Sequence, residues 1–547
     1  MASWSDFLVA MGLSEAPPVA DAKGLVHWGR MDAAFTSKCA VWADGRVVIA
    51  DGYSGDAHVR EVLRELRYTG VVPQQLRERT GTLEEVARAW GGGEEQRGSR
   101  LADPAQVEKL FQIFEQAVEA GADDVMFERS ETDCRVYVLV NDRKLQVGKP
   151  LTREEGQWMV EHLFYCANEG SRQVSLSEAE PQGWGVNGRE MKLPGSVIAL
   201  RCESGSDSRG FHLVSRMFVT GRISEDTSIE DLGFSSEFSE LLREIRMTSF
   251  GMVLFVGSTG DGKSTTNVVN FRLLLKESNY EKNAATLEDP VENFIRGALQ
   301  MELPTAGSEA ERAQNFEKFL RHFVRIHPAA GLIGEIRDGV GAQQVIRFVD
   351  SGHQIYTTMH GDSANGGVFR LVDLVGDASA ITKPGILRLI VKQTLLSVLC
   401  PNCCVERPVD GVDLPEGLER AITADVRFRN TEGCEECLKG RRTELSRLAW
   451  AGYINRLAFA EWIRPDHGYL ECVQAGNALG ALHYWKDDMG GVTIGTKIWR
   501  AVEAGMVDPF DALSKGAEVD EAIEVFTGGP ARPRPGRRAN GHGELRP

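Results

Sequence analysis

The sequence predicts an α/β fold built on a parallel sheet covered by helices. Short apolar runs, each long enough for a buried strand, alternate with helical stretches through the middle of the 547-residue chain. One of these runs ends in a glycine-rich segment that reads GSTGDGKS. The predicted strands are Met252 to Val256, Ala284 to Leu287, Leu332 to Ile333 and Gln354 to Thr358. Because parallel strands need crossover connections, this alternation predicts a sheet with helices on its faces.

Length and composition predict several domains. A chain of 547 residues is too long for one core, so three or four domains are expected. Apolar content of 42% and charged content of 26% are ordinary for a globular protein. No run is long enough to span a bilayer, and Met1 to Leu13 lacks a signal-peptide pattern, which predicts a cytoplasmic protein. The net charge of −17 gives no strong nucleic-acid signal, although a local basic channel remains compatible with it.

Residues 1–98 are predicted to form a separate N-terminal domain and linker. Helical, charged stretches run from Asp56 to Leu66 and from Leu83 to Trp90. The glycine-rich and charged segment from Gly91 to Gly98 then has the composition of a flexible linker.

Residues 103–222 are predicted to form a compact α+β domain. A helical period begins at Asp103, and strand-like alternation follows from Arg135 to Val140. A second helix near Glu154 to Ala167 and a strand from Ser196 to Arg201 complete it. Residues 223–398 then hold the parallel sheet, which the helix Ser236 to Arg246 introduces.

Residues 257–264 form a complete GxxxxGK[ST] phosphate-binding loop. Backbone N–H groups of such a loop wrap phosphates, Lys263 reaches the terminal phosphates, and the Ser264 hydroxyl coordinates Mg²⁺. An accidental glycine-rich turn is the alternative, which the flanking strand and helix patterns disfavour. We expect the side chain of Asp261 to point outward, since bound phosphates would repel it. The predicted nucleotide-binding residues are Gly257, Ser258, Thr259, Gly260, Asp261, Gly262, Lys263, Ser264 and Thr265.

Three later segments carry candidate catalytic residues at the ends of predicted strands. Glu288 follows an apolar strand and is predicted to orient water for hydrolysis of a phosphoanhydride. Alone, this run would be better explained as an acidic turn closed by Pro290. Glu335 ends a second strand and is predicted on the metal side. His360 ends a third strand and could sense the γ-phosphate by hydrogen bonding, although a lone histidine is more often structural.

Two CxxC pairs predict a structural metal site. Cys400 with Cys403 and Cys434 with Cys437 present four thiolates, the ligand set of tetrahedral Zn²⁺. A redox role is less favoured because one pair would suffice for it, and Cys404 is an adjacent extra thiol.

Residues 465–527 have a helical pattern whose simplest role is packing and subunit contact. Residues 528–547 are rich in Gly, Pro and Arg, which predicts a disordered tail rather than a site for an anionic partner.

The ordered set of phosphate loop, Glu-Asp-Pro-Val-Glu box, Gly-Glu-Ile-Arg-Asp box and histidine box resembles the secretion and assembly ATPases of type II secretion systems and type IV pili. The resemblance extends from about Glu115 to Glu461. It implies a RecA-like P-loop ATPase domain at 223–398, preceded by a PAS-like α+β domain at 103–222. It also implies a zinc-binding module at 399–464 and a small helical C-terminal region, and such a module favours assembly over pilus retraction.

The resemblance implies further site residues and partners. Arg201 and Arg216 fit the spacing of arginines that the PAS-like domain turns toward the nucleotide phosphates, where they stabilise developing charge. The strand that should carry an earlier Arg-x-Arg pair reads Tyr137 to Asp142 instead. The implied protein is a cytoplasmic homo-hexamer that uses ATP, Mg²⁺ and Zn²⁺. It would lie peripheral to the inner membrane, where residues 1–98 would contact a platform protein of a pilus or secretion system.

Two alternatives follow from departures and relatives. His327-Pro328-Ala329 replaces the usual Asp-Pro-Asp, and with the absent Arg-x-Arg pair it favours a nucleotide-gated scaffold with little hydrolysis. A translocation ATPase related to conjugation or type IV secretion is the other alternative, which the acidic charge disfavours.

Overall fold

A computed structural model of the chain describes residues 19–89 with several gaps, 103–166, 176–187 without 179, 191–303 without 222, 309–409 and 425–527, with single positions between 410 and 424. Side chains of residues 309–313 are not among them. Among the described residues, no helix combines the length and the apolarity that crossing a membrane requires.

The N-terminal residues form a small mixed sheet with one long helix. The elements are β1 (Val19–Ala20), β2 (Val26–His27), α1 (Ala33–Thr36), β3 (Cys39–Val41), β4 (Arg46–Ala50), α2 (Ala57–Tyr68) and β5 (Arg77–Gly81). The sheet order is β3-β4-β5, in which β4 runs antiparallel to β3 and parallel to β5. The predicted first helix is present, and Asp56 caps it by accepting a hydrogen bond from the Val59 N–H. The predicted helix near Leu83 and the linker lie largely outside the described residues.

An antiparallel sheet of seven strands follows. The elements are α3 (Pro104–Ala120), β6 (Asp124–Arg129), β7 (Asp133–Val140), β8 (Arg143–Gln146), β9 (Leu151–Thr152), α4 (Arg153–Tyr165), β10 (Gln182–Asn187), β11 (Val197–Asp207) and β12 (Gly210–Val219). The sheet order is β10-β11-β12-β6-β7-β8, with β9 also paired to β7. Buried residues of α3 and α4 share one core cluster with the strands. The helices and strands predicted for this part of the chain are therefore present.

A second sheet has seven strands. The strands of this part of the chain are β13 (Gly251–Val256), β14 (Ala284–Glu288), β15 (Ala298–Glu302), β16 (Ala330–Ile333), β17 (Gln354–Met359), β18 (Leu387–Leu399), β19 (Val405–Arg407), β20 (Val426–Phe428) and β21 (Tyr453–Ile463). The sheet order is β15-β14-β16-β17-β13-β18-β21. All neighbouring pairs are parallel except β18 with β21, and the predicted parallel sheet is therefore confirmed. The strands β19 and β20 form a separate pair, and β21 returns the chain from the cysteine segment to the large sheet.

Helices cover both faces of this sheet. Along β13, Met252, Leu254 and Val256 belong to one core cluster, whereas Val253 and Phe255 belong to another. The strand is therefore buried on both faces, which explains its continuous apolar sequence. The helices are a 3₁₀ turn (Glu230–Leu232), α5 (Ser236–Arg246), α6 (Lys263–Glu277), α7 (Glu309–Arg325), α8 (Gly339–Asp350), α9 (Ala364–Val375) and α10 (Ala378–Thr382). The next helix, α11 (Glu444–Trp450), instead packs on α3 in the core of the antiparallel sheet.

Five short helices follow the large sheet. They are α12 (His467–Gln474), α13 (Ala478–Asp487), α14 (Ile494–Glu503), α15 (Pro509–Ser514) and α16 (Val519–Thr527). Ile498 and Trp499 of α14 are fully buried and share a cluster with Leu396 of β18 and Phe428 of β20. The helical pattern of residues 465–527 thus corresponds to helices that pack on the sheet and the cysteine segment. The predicted tail at 528–547 lies outside the described residues.

Candidate functional site

Four sequence motifs meet at one edge of the parallel sheet. The strands β14, β16, β17 and β13 are consecutive neighbours in the sheet. Because they are parallel, their carboxyl ends lie at the same edge, where open α/β sheets bind ligands. Glu288 ends β14, Glu335 follows β16, His360 follows β17, and Gly257 follows β13. The Gly257 N–H donates to the Met359 carbonyl at 3.2 Å, so the loop is anchored to the neighbouring strand.

The phosphate loop connects β13 to α6, as the sequence predicts. Gly262 precedes the helix with φ at 77°, and Gly260 has φ at 83°, a left-handed conformation that favours glycine. Ser258, Thr259 and Ser264 are exposed and available to a ligand, and Thr265 is half-buried. The loop therefore places hydroxyl groups and a helix N-terminus at the sheet edge.

The side chain of Lys263 folds back toward the start of the phosphate loop. Its Nζ donates to the Gly257 and Ser258 carbonyl oxygens, both at 2.8 Å. Burial lowers the pKa of this ammonium group, although the nearby Asp261 and Glu335 charges oppose the shift. The lysine thus lies where a phosphate group bound in the loop would meet it.

The predicted outward orientation of Asp261 is wrong. The residue is only 2% exposed, and its side chain faces β18. There its carboxylate accepts a hydrogen bond from the Thr394 hydroxyl at 2.9 Å and lies 3.5 Å from Lys392 Nζ. Repulsion by phosphates does not turn it outward, because a hydroxyl and an ammonium group on the adjacent strand satisfy the carboxylate inside the protein.

Glu288 is buried at the end of β14. Its Oε1 accepts hydrogen bonds from the Thr286 hydroxyl at 2.5 Å and from Gln300 Nε2 at 3.1 Å. Burial raises the pKa of this carboxyl group, and the two hydrogen bonds oppose that shift. A carboxylate fixed in this way can orient a water molecule that reaches the sheet edge.

Polar contacts between side chains run without a break from His360 to Arg201. His360 Nε2 lies 2.9 Å from Glu335 Oε1, and Arg337 Nε donates to Glu335 Oε2 at 2.8 Å. Arg337 Nη1 lies 3.4 Å from Asp289 Oδ2, and Arg201 Nη2 donates to Asp289 Oδ1 at 2.6 Å. Sequence reasoning missed Asp289 and Arg337, although both lie inside the acidic boxes that it singled out. Arg201 thereby connects the antiparallel sheet to the edge of the parallel one.

Arg216 has a different partner. It lies opposite Arg201 in the β11–β12 register. Its guanidinium group forms two parallel hydrogen bonds with the Asp124 carboxylate, at 2.9 and 2.8 Å. These bonds raise the pKa of Arg216, and they join it to a strand of its own sheet. The structure brings Arg201 to the acidic boxes and leaves Arg216 paired with Asp124.

Ala329, where the resemblance leads one to expect an acid, lies away from this edge. It immediately precedes β16, whose carboxyl end carries Glu335. A strand of this length separates the two ends by about 13 Å, at roughly 3.3 Å per residue. The lost acid therefore lies at the opposite edge of the sheet from the phosphate loop.

The four predicted cysteines converge on one point. The Sγ atoms of Cys400, Cys403, Cys434 and Cys437 all lie within 4.8 Å of one another. Two of the separations are 3.7 and 3.9 Å. Tetrahedral zinc with Zn–S bonds of about 2.3 Å requires sulfur separations of about 3.8 Å, so the cluster fits the ion. The spare thiol of Cys404 instead faces the Pro401 carbonyl at 3.8 Å.

Comparison with known proteins gives consistent relatives. Type II secretion system protein E of Pectobacterium carotovorum subsp. carotovorum is 29% identical over 273 residues, 50% of this chain and 50% of that protein. Type IV pilus assembly ATPase PilB of Thermus thermophilus is 27% identical over 390 residues, 69% of this chain and 39% of that protein. The chain thus spans half or less of the length of these two relatives.

Among solved structures, the Legionella pneumophila ATPase DotB aligns with 74% of this chain and 94% of its own, at 16% identity and a TM-score of 0.49. The profile of the family described as Type II/IV secretion system protein matches residues 100–452, which is more than half of the chain. The chain therefore belongs to the Type II/IV secretion system protein family.

Proposed function

We propose that the protein is an ATPase motor that powers assembly of a type IV pilus or of a type II-like secretion pseudopilus. The observation that carries this proposal is the meeting of the phosphate loop, Glu288, Glu335 and His360 at one sheet edge. Membership of the secretion family supports it, as do relatives named for type II secretion and for a pilus assembly ATPase.

Each side chain has a proposed role. Lys263 and the loop N–H groups hold the β- and γ-phosphates of ATP, and Ser264 is the protein ligand for Mg²⁺. When bound, Mg²⁺ would neutralise phosphate charge. Glu288 orients the attacking water, and Glu335 orders the metal's hydration shell. His360, which contacts Glu335, reports the γ-phosphate through that carboxylate.

The arginines are proposed to stabilise developing charge. The contact of Arg201 with Asp289, beside Glu288, supports this role for Arg201. Arg216 would first have to leave Asp124, at the cost of two charge-assisted hydrogen bonds. We therefore assign the larger contribution to Arg201.

The proposed architecture divides the chain by function. Residues 223–398 act as a RecA-like ATPase domain, which moves against a PAS-like domain at 103–222. Residues 399–464 form a module around a structural zinc ion, held by the four clustered cysteines. The working form is a cytoplasmic homo-hexamer at the inner membrane, docked through residues 1–98 to a platform protein.

A nucleotide-gated scaffold is the second candidate. The pairing of Arg216 with Asp124 favours it, because two charge-assisted hydrogen bonds hold that guanidinium group away from the acidic boxes. Ala329 gives it no support, since that position lies at the opposite edge of the sheet.

Steady-state ATP hydrolysis with Mg²⁺, measured beside nucleotide affinity, separates the two candidates. A motor binds ATP and releases phosphate continuously. Tight binding without turnover would support the scaffold and contradict the motor. Sedimentation with and without nucleotide would test the hexamer in the same preparation.

A further inference from the structure

The phosphate loop contains an unusual buried carboxylate with a full set of partners. Asp261 Oδ2 accepts a hydrogen bond from the Ser258 N–H at 2.6 Å, across the loop itself. Its Oδ1 accepts from the Thr394 hydroxyl at 2.9 Å, and its backbone carbonyl accepts from Gln393 Nε2 at 2.7 Å. One residue thus connects the start of the loop to the neighbouring strand β18.

Lys392 supplies the charge that balances this carboxylate. It lies on β18 directly opposite Val256, the last residue of the loop's own strand. Its side chain is nearly buried, and its Nζ lies 3.5 Å from Asp261 Oδ2 and 3.4 Å from the Gly361 carbonyl oxygen. A charge that is removed from water needs a partner, and each of these two groups provides one for the other.

The loop has little freedom to rearrange around this pair. A Cβ atom at Gly257 would lie 2.8 Å from the Gln393 carbonyl and 3.0 Å from Asp261 Oδ2. A Cβ atom at Gly262 would lie 3.0 Å from Gln393 Nε2. The loop backbone therefore lies close against β18 on both sides of Asp261. Within this restricted loop, the Asp261 carboxylate fixes the direction of the Ser258 N–H through their hydrogen bond.

We propose that Asp261 is a positioning residue of the nucleotide site, which fixes the Ser258 end of the phosphate loop and requires Lys392 as its charge partner. The proposal rests on the proposed function, since it concerns the same loop. It makes the Asp261–Lys392 pair a determinant of affinity for the phosphate groups. Without the carboxylate, the loop would have to be ordered by the nucleotide when it binds, which weakens binding.

Lys515 adds a second, longer contact. Its Nζ lies 3.8 Å from Asp261 Oδ1 and 2.6 Å from Asp142 Oδ2, in the turn between β7 and β8. This lysine follows α15, so it joins the loop, the C-terminal helices and the antiparallel sheet. Because its shorter contact is with Asp142, we expect its removal to change nucleotide affinity less than removal of Lys392.

The test is a double-mutant cycle on the full chain, with a fluorescent ADP analogue and Mg²⁺ as the probe. Asp261→Ala and Lys392→Ala should each weaken affinity roughly tenfold, because each removes one member of a buried charge pair. The double variant should lose clearly less than the product of the two single losses. Lys392→Arg should restore most of the affinity, because it restores the charge. The matched control is Lys383→Ala, which breaks a surface pair with Asp350 and should change nothing.

A purely structural role is separated by measuring Tm and the kinetic constants together. Positioning predicts that KM for ATP rises at temperatures where every variant is fully folded. Unchanged or tighter ADP binding in Asp261→Ala would overturn the proposal, because it would mean that the carboxylate only repels phosphates. Independent, multiplicative losses would also overturn it. Failure of the unaltered chain to bind the probe would instead overturn the proposed function, and this inference with it.

Discussion

Glu288 combines burial with a fixed orientation. The Thr286 hydroxyl and the Gln300 amide both donate to its Oε1. These two hydrogen bonds fix the carboxylate through one oxygen and do not involve Oε2. Burial raises the pKa of the group above that of an ordinary glutamate. A raised pKa brings a carboxylate closer to the strength that general-base assistance requires at neutral pH.

Glu288→Gln should therefore separate binding from hydrolysis. Affinity for ATP should stay near that of the unaltered chain, while kcat falls by about 10²–10⁴-fold. Below its raised pKa Glu288 is protonated and cannot accept a proton, so activity of the unaltered chain should rise as pH increases through that pKa. This limb should be absent from the residual activity of the variant.

Glu240→Gln is the matched control, because Glu240 is an exposed acid paired with Arg243 on the surface. Its pH profile should match that of the unaltered chain. An unchanged kcat in Glu288→Gln would contradict the assigned role.

The cysteine segment contains one short strand pair, which packs against the C-terminal helices through Phe428. Its strands β19 and β20 have three residues each, which is too little to be stable alone. The Cys434 N–H also donates to the Cys437 sulfur at 3.1 Å, so the backbone of this turn contacts one of the four thiols. A metal ion held by the four cysteines would therefore add to the local stability.

Cys434→Ser should lower zinc content from about one ion per chain to near zero and should lower Tm. Cys404→Ser is the natural control, because the Cys404 thiol faces the Pro401 carbonyl. This substitution should leave the zinc content unchanged. Elemental analysis with thermal unfolding measures both. Equal zinc content in Cys434→Ser and the unaltered chain would exclude the proposed ligand set.

The sequence predicts elements well where one pattern determines them. The apolar run from Gly251 to Val256 is a strand because both its faces are buried, and the glycine pattern after it allows only a tight loop into a helix. Contacts between distant segments carry no such pattern. Asp261 turned inward because Lys392, 131 residues later, adjoins it in space. Pairing of Arg216 with Asp124 likewise depends on strand register, which the sequence does not specify at that point.

Ion pairs connect the two large sheets next to the candidate catalytic acids. Arg201 of the antiparallel sheet binds Asp289, and Asp289 also approaches Arg337 beside Glu335. Motion of one sheet against the other must therefore change contacts next to the candidate catalytic acids. A motor that couples hydrolysis to domain movement needs such a link.

Arg201→Ala should lower kcat by at least tenfold, with a smaller effect on nucleotide affinity, because the guanidinium group acts on developing charge rather than on the ground state. Arg135→Ala is the control, because it removes an exposed arginine of the same sheet that is paired with Asp133. If Arg201→Ala weakens nucleotide binding and leaves kcat unchanged, Arg201 holds the ground state and not the transition state.

The central claim is that this chain hydrolyses ATP at the loop formed by residues 257–265. Steady-state phosphate release by the full chain and by Lys263→Ala, with ATP and Mg²⁺, tests it most directly. We predict continuous release by the unaltered chain and almost none by the variant, because Lys263 is the ammonium group inside the loop. Hydrolysis by Lys263→Ala at the rate of the unaltered chain would contradict the claim.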